Sequence, residues 1–219
     1  MKRKIAVIGG SGLVGALVVR RLRSNPDMDV LNLLRSPRES GDIAIDFERL
    51  AADPQGVLLT ATGGQLDAAI SCIGTTIRKA GSEEAMRRID LDYVEAFARG
   101  AVANGANRFI LVSSVGAGGS GFYLTTKGQA EAAVNAAGFK RVDIIRPGLI
   151  IGPRNERRPA EAFAQSVLPW LDPLLVGPLS QYRTISAEII ASSIVKMANE
   201  PGDGHFIHVN ASIRRFAGV

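Results

Sequence analysis

A glycine-rich turn near the amino terminus constrains the fold more than any other feature of this chain. The short apolar run from Ile5 to Ile8 leads at once into Gly9-Gly10-Ser11-Gly12, and apolar residues at helical spacing begin at Leu13. A change from strand to helix periodicity across a tight turn predicts a strand, a turn and a helix. We expect a chain that begins in this way to continue as alternating strands and helices.

The rest of the chain repeats this alternation. Further strands are predicted at 29–34, 43–45, 67–73, 108–113, 141–145 and 206–209, and helices at 82–103, 122–136 and 186–199. Strands that alternate with helices pair in parallel and are covered on both faces. We therefore predict one α/β domain over residues 1–219, a doubly wound parallel sheet of the Rossmann type. The proline-rich part around 150–185 lacks this pattern and is assigned to a substrate pocket.

Composition excludes several classes of protein. The one cysteine, Cys72, cannot form a disulfide framework or a cysteine metal site, so we expect a reducing compartment and a cytoplasmic location. The basic start, Lys2 to Lys4, imitates a secretory signal, but the apolar stretch after it contains four glycines and lacks a small-residue cleavage site.

Charge and histidine content argue against nucleic-acid and metal binding. The formal charge of +5 is modest for a nucleic-acid binder, and no apolar run is long enough to predict a membrane span. His205 and His208 are the two histidines, and their odd separation places them on opposite faces of a strand. We therefore expect no metal site, no nucleic-acid partner and no membrane association.

The spacing of the glycines predicts a dinucleotide site. Gly9, Gly12 and Gly15 fit one spacing of the phosphate-binding glycines. Gly10, Gly12 and Gly15 fit another. In either register Gly12 lets the backbone approach a pyrophosphate, and Gly15 lets the helix pack on the strand. The free N–H groups at the helix N-terminus attract the phosphates.

The end of the second predicted strand indicates which dinucleotide is bound. An acidic residue there would bind the ribose hydroxyls of NAD, but this chain has Arg35, and Arg38 follows. A guanidinium pairs with a phosphate through two hydrogen bonds, so we predict that NADP(H) is preferred over NAD(H).

A tyrosine and a lysine provide the catalytic candidates. Tyr123 and Lys127 are four residues apart at the start of a predicted helix and therefore share one face. A nearby ammonium stabilises a phenolate, which suits a tyrosine for proton transfer. Ser114, at the end of the preceding strand, can donate a hydrogen bond to the oxygen that the tyrosine protonates.

The chain carries further segments that match a known family, namely Val7 to Gly15, Asp46-Phe47, Cys72 to Thr76, Ile89-Asp90, Ser113-Ser114, Tyr123 to Lys127 with Gly128 and Glu131, and Arg146 to Gly148. In these it resembles the short-chain dehydrogenase/reductase superfamily, in its atypical single-domain branch. The Cys-Ile-Gly-Thr-Thr segment with Lys79 to Gly81, Asp92 to Val94 and Arg157 to Pro159 is most similar to the Tat-interacting oxidoreductase subfamily and its bacterial relatives.

The resemblance implies a role for each matching residue. The catalytic residues would be Ser114, Tyr123 and Lys127. The cofactor would be bound by Gly9, Ser11, Gly12, Leu13, Val14, Gly15, Arg35, Asp46, Phe47, Ile73, Gly74, Tyr123, Lys127, Ile150 and Arg158.

Two positions depart from the family pattern. Ordinary members have an asparagine in the helix where this chain has Asp90, and an ionised carboxylate cannot donate a hydrogen bond. Ser114 and Tyr123 are only nine positions apart, a shorter separation than is usual in the superfamily.

The sequence therefore predicts an NADP(H)-dependent oxidoreductase that reduces a carbonyl-like small molecule by hydride transfer. A non-catalytic NADP(H)-binding regulatory protein and a quinone or flavin reductase remain as alternatives. A homodimer or a protein partner is left open.

Overall fold

The computed structural model describes residues 2–152, residue 172 and residues 175–219. Its strands are β1 (Arg3–Ile8), β2 (Met28–Leu34), β3 (Asp42–Ala44), β4 (Ala68–Ser71), β5 (Arg108–Val112), β6 (Arg141–Ile145), β7 (Ile150–Ile151), β8 (Ile185–Ser186) and β9 (Gly204–His208). Seven of them form a sheet in the order β3-β2-β1-β4-β5-β6-β9, and β7 pairs with β8 in a second, two-stranded sheet. All of these pairs are parallel.

Helices connect the strands. They are α1 (Leu13–Arg23), α2 (Phe47–Ala52), α3 (Pro54–Thr62), α4 (Ile77–Ala80), α5 (Glu83–Arg87), α6 (Tyr93–Ala103), α7 (Phe122–Ala136), α8 (Ala187–Met197) and α9 (Asn210–Ala217). A π-helical turn, Arg88–Asp92, joins α5 to α6, and a 3₁₀ helix spans Gly177–Tyr182. None of the described helices has the length and apolar character that a bilayer span requires.

Each face of the sheet has its own hydrophobic core. Alternate residues of β1 point to opposite sides, so Ile8 packs in the core that contains Phe97, while Val7 packs in the core that contains Leu22 and Ile190. Burial on both faces explains why the central strands are continuous apolar runs. The predicted doubly wound Rossmann fold is confirmed.

The strand order determines where a ligand can bind. Chain order reverses at β1, which has β2 on one side and β4 on the other. In open parallel sheets the crevice at such a reversal, outside the carboxyl ends of the strands, is the usual ligand site. The glycine turn that follows Ile8 and the segment that follows Ser71 both lie at this edge.

Several elements differ from the prediction. The stretch that leads to Gly56 and Gly63 has no clear periodicity, yet it folds as α2 and α3, because Asp46 caps α2, Asp53 caps α3 and Pro54 occupies the first turn of α3. Ser82 caps its helix as expected, accepting the Ala85 N–H at 3.1 Å, but the predicted single helix to residue 103 is interrupted by the π turn. The last helix, α9, was not predicted.

Candidate cofactor and active site

Three glycines of the amino-terminal turn are needed for the protein's own packing. A β-carbon on Gly9 would lie 2.4 Å from the backbone of Cys72, and one on Gly15 would lie 2.2 Å from the carbonyl oxygen of Gly9. At Gly10 a β-carbon would lie 1.9 Å from Oδ1 of Asn32. Gly9 also has a positive φ of 78°, which favours glycine.

Gly12 differs from these three glycines. Its φ of −83° and ψ of 171° are open to any residue. A β-carbon there would contact only the Gly9 carbonyl oxygen, at 3.3 Å. Gly12 is the N-cap of α1 and provides no side-chain cap, so the first N–H groups of the helix are left to another acceptor. The open space beside this helix N-terminus could hold the pyrophosphate of a dinucleotide, and the predicted residues Ser11, Leu13 and Val14 lie in the same turn.

Two arginines follow β2 near this turn. Arg35 and Arg38 are both exposed. The Nη1 atom of Arg38 lies 3.5 Å from the carbonyl oxygen of Ser11, so this side chain reaches back to the glycine turn. From the sequence, Arg38 was identified only as a residue close to Arg35. Its position in the chain did not predict the contact with Ser11.

The predicted adenine-binding residues lie where α2 begins. Asp46 caps α2, with Oδ1 accepting the N–H groups of Glu48 and Arg49 at 2.8 and 3.3 Å. The half-buried ring of Phe47 packs against Tyr93, with 5.2 Å between ring centroids. Asp46 therefore has a structural role whether or not its other oxygen contacts a ligand.

Lys127 is buried next to the segment that follows β4. Its Nζ lies 2.6 Å from Oδ1 of Asp90, and both side chains are almost completely buried. The other Asp90 oxygen accepts the backbone N–H of Thr75 at 2.8 Å. A β-carbon on Gly74 would lie 3.3 Å from Nζ of Lys127. Gly74 thus leaves room for the ammonium, and Ile73 lies next to it in the chain.

The π-helical turn contains Asp90 at its centre. A π turn inserts an extra residue into a helix, which changes the direction of the following side chains, and such turns are frequent at functional sites. The carboxylate at the position of the family's asparagine is therefore an acceptor for Lys127, a pairing that the sequence alone did not predict.

Ser114 and Tyr123 flank a compact glycine-rich loop. Hydrogen bonds from Ala117 N–H to Ser114 and from Gly118 N–H to Leu124 fold this loop, at 3.1 and 2.8 Å. A β-carbon on Gly128 would lie 2.6 Å from Cα of Gly118, so this glycine lets the loop pack on α7. The Tyr123 hydroxyl has no hydrogen-bond partner among the described residues, and Ser114 Oγ makes one long bond of 3.3 Å to the Val115 carbonyl.

A buried polar network begins at Ser113, the residue that precedes Ser114. Ser113 Oγ donates to Glu131 at 2.5 Å, and Arg146 binds the same carboxylate through Nε and Nη2 at 3.0 and 2.5 Å. The hydrogen bonds to Glu131 raise the pKa of Arg146. These side chains join the ends of β5 and β6 to α7, and the sequence identified them only as family matches.

The remaining cofactor candidate that the structure describes is Ile150. It is half-buried in β7 and pairs with Ile185 of β8. A β-carbon on nearby Gly152 would lie 3.3 Å from the Leu13 side chain, so β7 ends close to the start of α1. Arg158 and most of the predicted substrate pocket around 150–185 lie outside the described residues.

The residues judged ordinary from the sequence have ordinary surroundings. His205 is exposed, whereas His208 is buried with Nε2 2.9 Å from Asp143. Burial opposes ionisation of Asp143, but hydrogen bonds from His208 and Arg141 hold its pKa below the usual value.

Desolvation raises the pKa of the Cys72 thiol to about 12, so it is a poor nucleophile. No cluster with metal-ligand composition occurs within the described ranges.

Comparison with known proteins agrees with this geometry. A family model described as NAD(P)H-binding matches residues 9–201. The chain belongs to this NAD(P)H-binding family. It is 34% identical over 174 residues to the protein fmp52, mitochondrial, of Emericella nidulans, covering 74% of this chain and 72% of the relative. It is 31% identical over 174 residues to the protein HTATIP2 of Rattus norvegicus, covering 74% and 69% of the two chains. The resemblance found in the sequence is confirmed.

Solved structures show the same fold at low sequence identity. The Bordetella bronchiseptica enzyme WbmH in complex with NAD+ matches with a TM-score of 0.72 at 14% identity, covering 100% of this chain and 80% of that one. The human epimerase family protein SDR39U1 with NADPH matches with a TM-score of 0.62 at 17% identity, covering 94% and 74%. Identities this low bear on the fold alone.

One prediction is wrong by this comparison. The sequence favoured a cytoplasmic location, but fungal relatives at 30–35% identity are named as mitochondrial proteins. The single cysteine was the basis of that prediction. Cysteine content reports on redox conditions and does not distinguish one reducing compartment from another.

Proposed function

We propose that this chain binds NADP(H) in preference to NAD(H) and acts as an oxidoreductase that reduces a carbonyl-like acceptor. The observation that carries the proposal is the position of Lys127. Its ammonium is buried beside Gly74 at the carboxyl edge of the sheet, one helical turn from Tyr123. An ammonium at this edge, next to the reversal in strand order where dinucleotides bind, can donate a hydrogen bond to a cofactor's ribose.

The chain's own residues would divide the work as follows. The α1 N-terminus and Gly12 would hold the pyrophosphate, and Arg35 with Arg38 would hold the 2′-phosphate. A bound nicotinamide would supply the hydride. Tyr123 would donate the proton to the acceptor's oxygen, and Ser114 would donate a hydrogen bond to that oxygen.

Asp90 favours one alternative, a regulatory protein that binds NADP(H) without turnover. Its carboxylate, 2.6 Å from the Lys127 ammonium, offsets the positive charge that would otherwise stabilise a Tyr123 phenolate. The same contact fixes the lysine in place. A protein that binds the cofactor without transferring a proton needs only the fixed position of the lysine.

Substituting Tyr123 by phenylalanine distinguishes these functions. We expect a screen of carbonyls and quinones to find NADPH oxidation in the wild type. Tyr123→Phe should then lower turnover by roughly 10²–10⁴ while NADPH affinity changes little, because only one hydroxyl is removed. Ser24→Ala, which removes an exposed hydroxyl at the C-terminal end of α1, serves as the control.

The remaining outcomes separate the alternatives. NADPH binding without turnover of any compound would support the regulatory function. A fully active Tyr123→Phe enzyme would contradict proton donation by the tyrosine and favour a quinone or flavin acceptor.

A further inference from the structure

The loop that carries Arg35 and Arg38 has a buried anchor. Residues 35–41 join β2 to β3, and all of them are exposed. Asp42, the first residue of β3, follows the loop, and its side chain is only 3% exposed. A loop of this kind keeps a fixed shape only when its backbone polar groups have partners within the protein.

Both oxygens of Asp42 are used in holding this loop. Oδ2 accepts the backbone N–H groups of Arg38 and Glu39 at 3.0 and 3.1 Å. Oδ1 accepts Nη2 of Arg23 at 3.0 Å and Nδ2 of Asn32 at 2.9 Å. Burial opposes ionisation, but these hydrogen bonds lower the pKa of Asp42 to about 2. The group is therefore an ionised acceptor at neutral pH.

Asn32 connects this anchor to the glycine turn. Its side chain is buried on β2, with Nδ2 bound to Asp42. Its Oδ1 has no hydrogen-bond partner among the described residues and occupies the space that a β-carbon on Gly10 would need. The Asn32 side chain therefore lies between Asp42 and the glycine turn. Across the outside of the same turn, Arg38 reaches the Ser11 carbonyl.

From this arrangement we propose that Asp42 is a positioning residue for cofactor choice, holding the 35–41 loop so that Arg35 and Arg38 stay beside the phosphate turn. The inference rests on the proposed preference for NADP(H) and adds the residue that maintains it. NADH lacks the 2′-phosphate, so its binding does not need the two guanidinium groups in place.

Electrostatics alone predicts the opposite effect. Asp42 is a negative charge near a proposed phosphate site, so neutralising it would favour a phosphorylated cofactor if charge were its only contribution. Removing the anchor instead releases the two arginines from their positions. The sign of the change in NADPH affinity therefore separates positioning from simple repulsion.

The test is to measure the dissociation constants of NADPH and NADH for wild type, Asp42→Asn and Glu39→Gln by fluorescence titration. Glu39 is an exposed acid on the same loop, and its carboxylate forms a surface ion pair with Arg23 at 3.6 Å. We expect Asp42→Asn to weaken NADPH about 5- to 20-fold and NADH less than about 2-fold. Glu39→Gln should leave NADPH binding unchanged or slightly tighter.

Other outcomes would overturn the inference in distinct ways. Tighter NADPH binding by Asp42→Asn would show a charge effect, and equal weakening of both cofactors would show a general structural role. Equal affinities in the wild type would instead contradict the proposed cofactor preference itself. If Asp42→Asn lacks a cooperative melt, Asp42→Ser is measured in its place and the same selective loss is expected.

Discussion

The glycine turn (Gly9 to Gly12) and the proposed catalytic corner (Ser114, Tyr123 and Lys127) lie at the same edge of the sheet but are built differently. At the turn, Gly12 leaves open space and the backbone N–H groups at the start of α1 lack a side-chain cap. At the corner, Lys127 is buried against Asp90. The turn leaves the N-terminus of α1 without a side-chain partner, whereas the corner holds its lysine with a partner from a distant part of the chain.

This difference predicts that the two carboxylates of the π turn contribute unequally to stability. Asp90→Ala leaves the Lys127 ammonium buried without its counter-charge, which should cost about 3–5 kcal/mol in the free energy of unfolding. Asp92 pairs with Arg87 and Arg88 at the surface, so Asp92→Ala should cost less than about 1 kcal/mol. Urea unfolding measures both, and similar losses would contradict the buried pairing.

On the cofactor side, Arg35→Ala should remove most of the preference for NADPH. A hydrogen bond to a charged group contributes about 1.5–3 kcal/mol, which corresponds to roughly a ten- to hundredfold difference in affinity. Titration with NADPH and NADH checks this, and NADH affinity should stay nearly constant. An unchanged ratio of the two affinities would contradict the assignment of Arg35.

Within the turn itself, the glycines should separate into two kinds. Gly15→Ala places a β-carbon against the Gly9 carbonyl oxygen and should lower the free energy of unfolding by about 1–3 kcal/mol. Gly12→Ala places a β-carbon in contact with only one atom, so it should change the free energy of unfolding by less than about 1 kcal/mol. Equal destabilisation by the two variants, measured by thermal unfolding, would remove the distinction.

The smallest expected effect is an acid-sensitive contribution from Asp42. Its pKa is lowered from 3.8 to about 2 in the folded protein, so the carboxylate stabilises the fold fully above about pH 4. This stabilisation is lost as the pH falls from about 4 toward 2. The difference in urea midpoint between wild type and Asp42→Asn should therefore narrow between pH 5 and pH 3. A constant difference over that range would contradict the lowered pKa.

The same contrast explains how much the sequence could predict. The bounds of α7 and β6 agree with prediction residue by residue, because both elements end at local signals, Gly138 for the helix and Pro147-Gly148 for the strand. The turn between β1 and α1 was equally readable, because its glycines follow a strand and precede a helix at a fixed spacing.

Contacts between distant segments were not readable in this way. The Asp90–Lys127 pair, the Ser113–Glu131–Arg146 network and the Asp42–Arg23 contact each join residues 15 or more positions apart in the chain. Helices α2 and α3 were missed for a different reason: Gly56 and Gly63 are typical of a loop, whereas Asp46 caps α2, and the capping residue Asp53 and the first-turn proline Pro54 begin α3.

The most direct test of this account is the thermal shift that NADPH produces in wild type and in Gly12→Val. At about 100 times its dissociation constant, NADPH should raise the wild-type melting temperature by roughly 5–10 °C. Gly12→Val should keep a cooperative melt, because its backbone conformation suits any residue, but it should lose the shift, because its side chain fills the phosphate space. An undiminished shift in Gly12→Val would contradict the central claim that this turn is shaped to receive the cofactor.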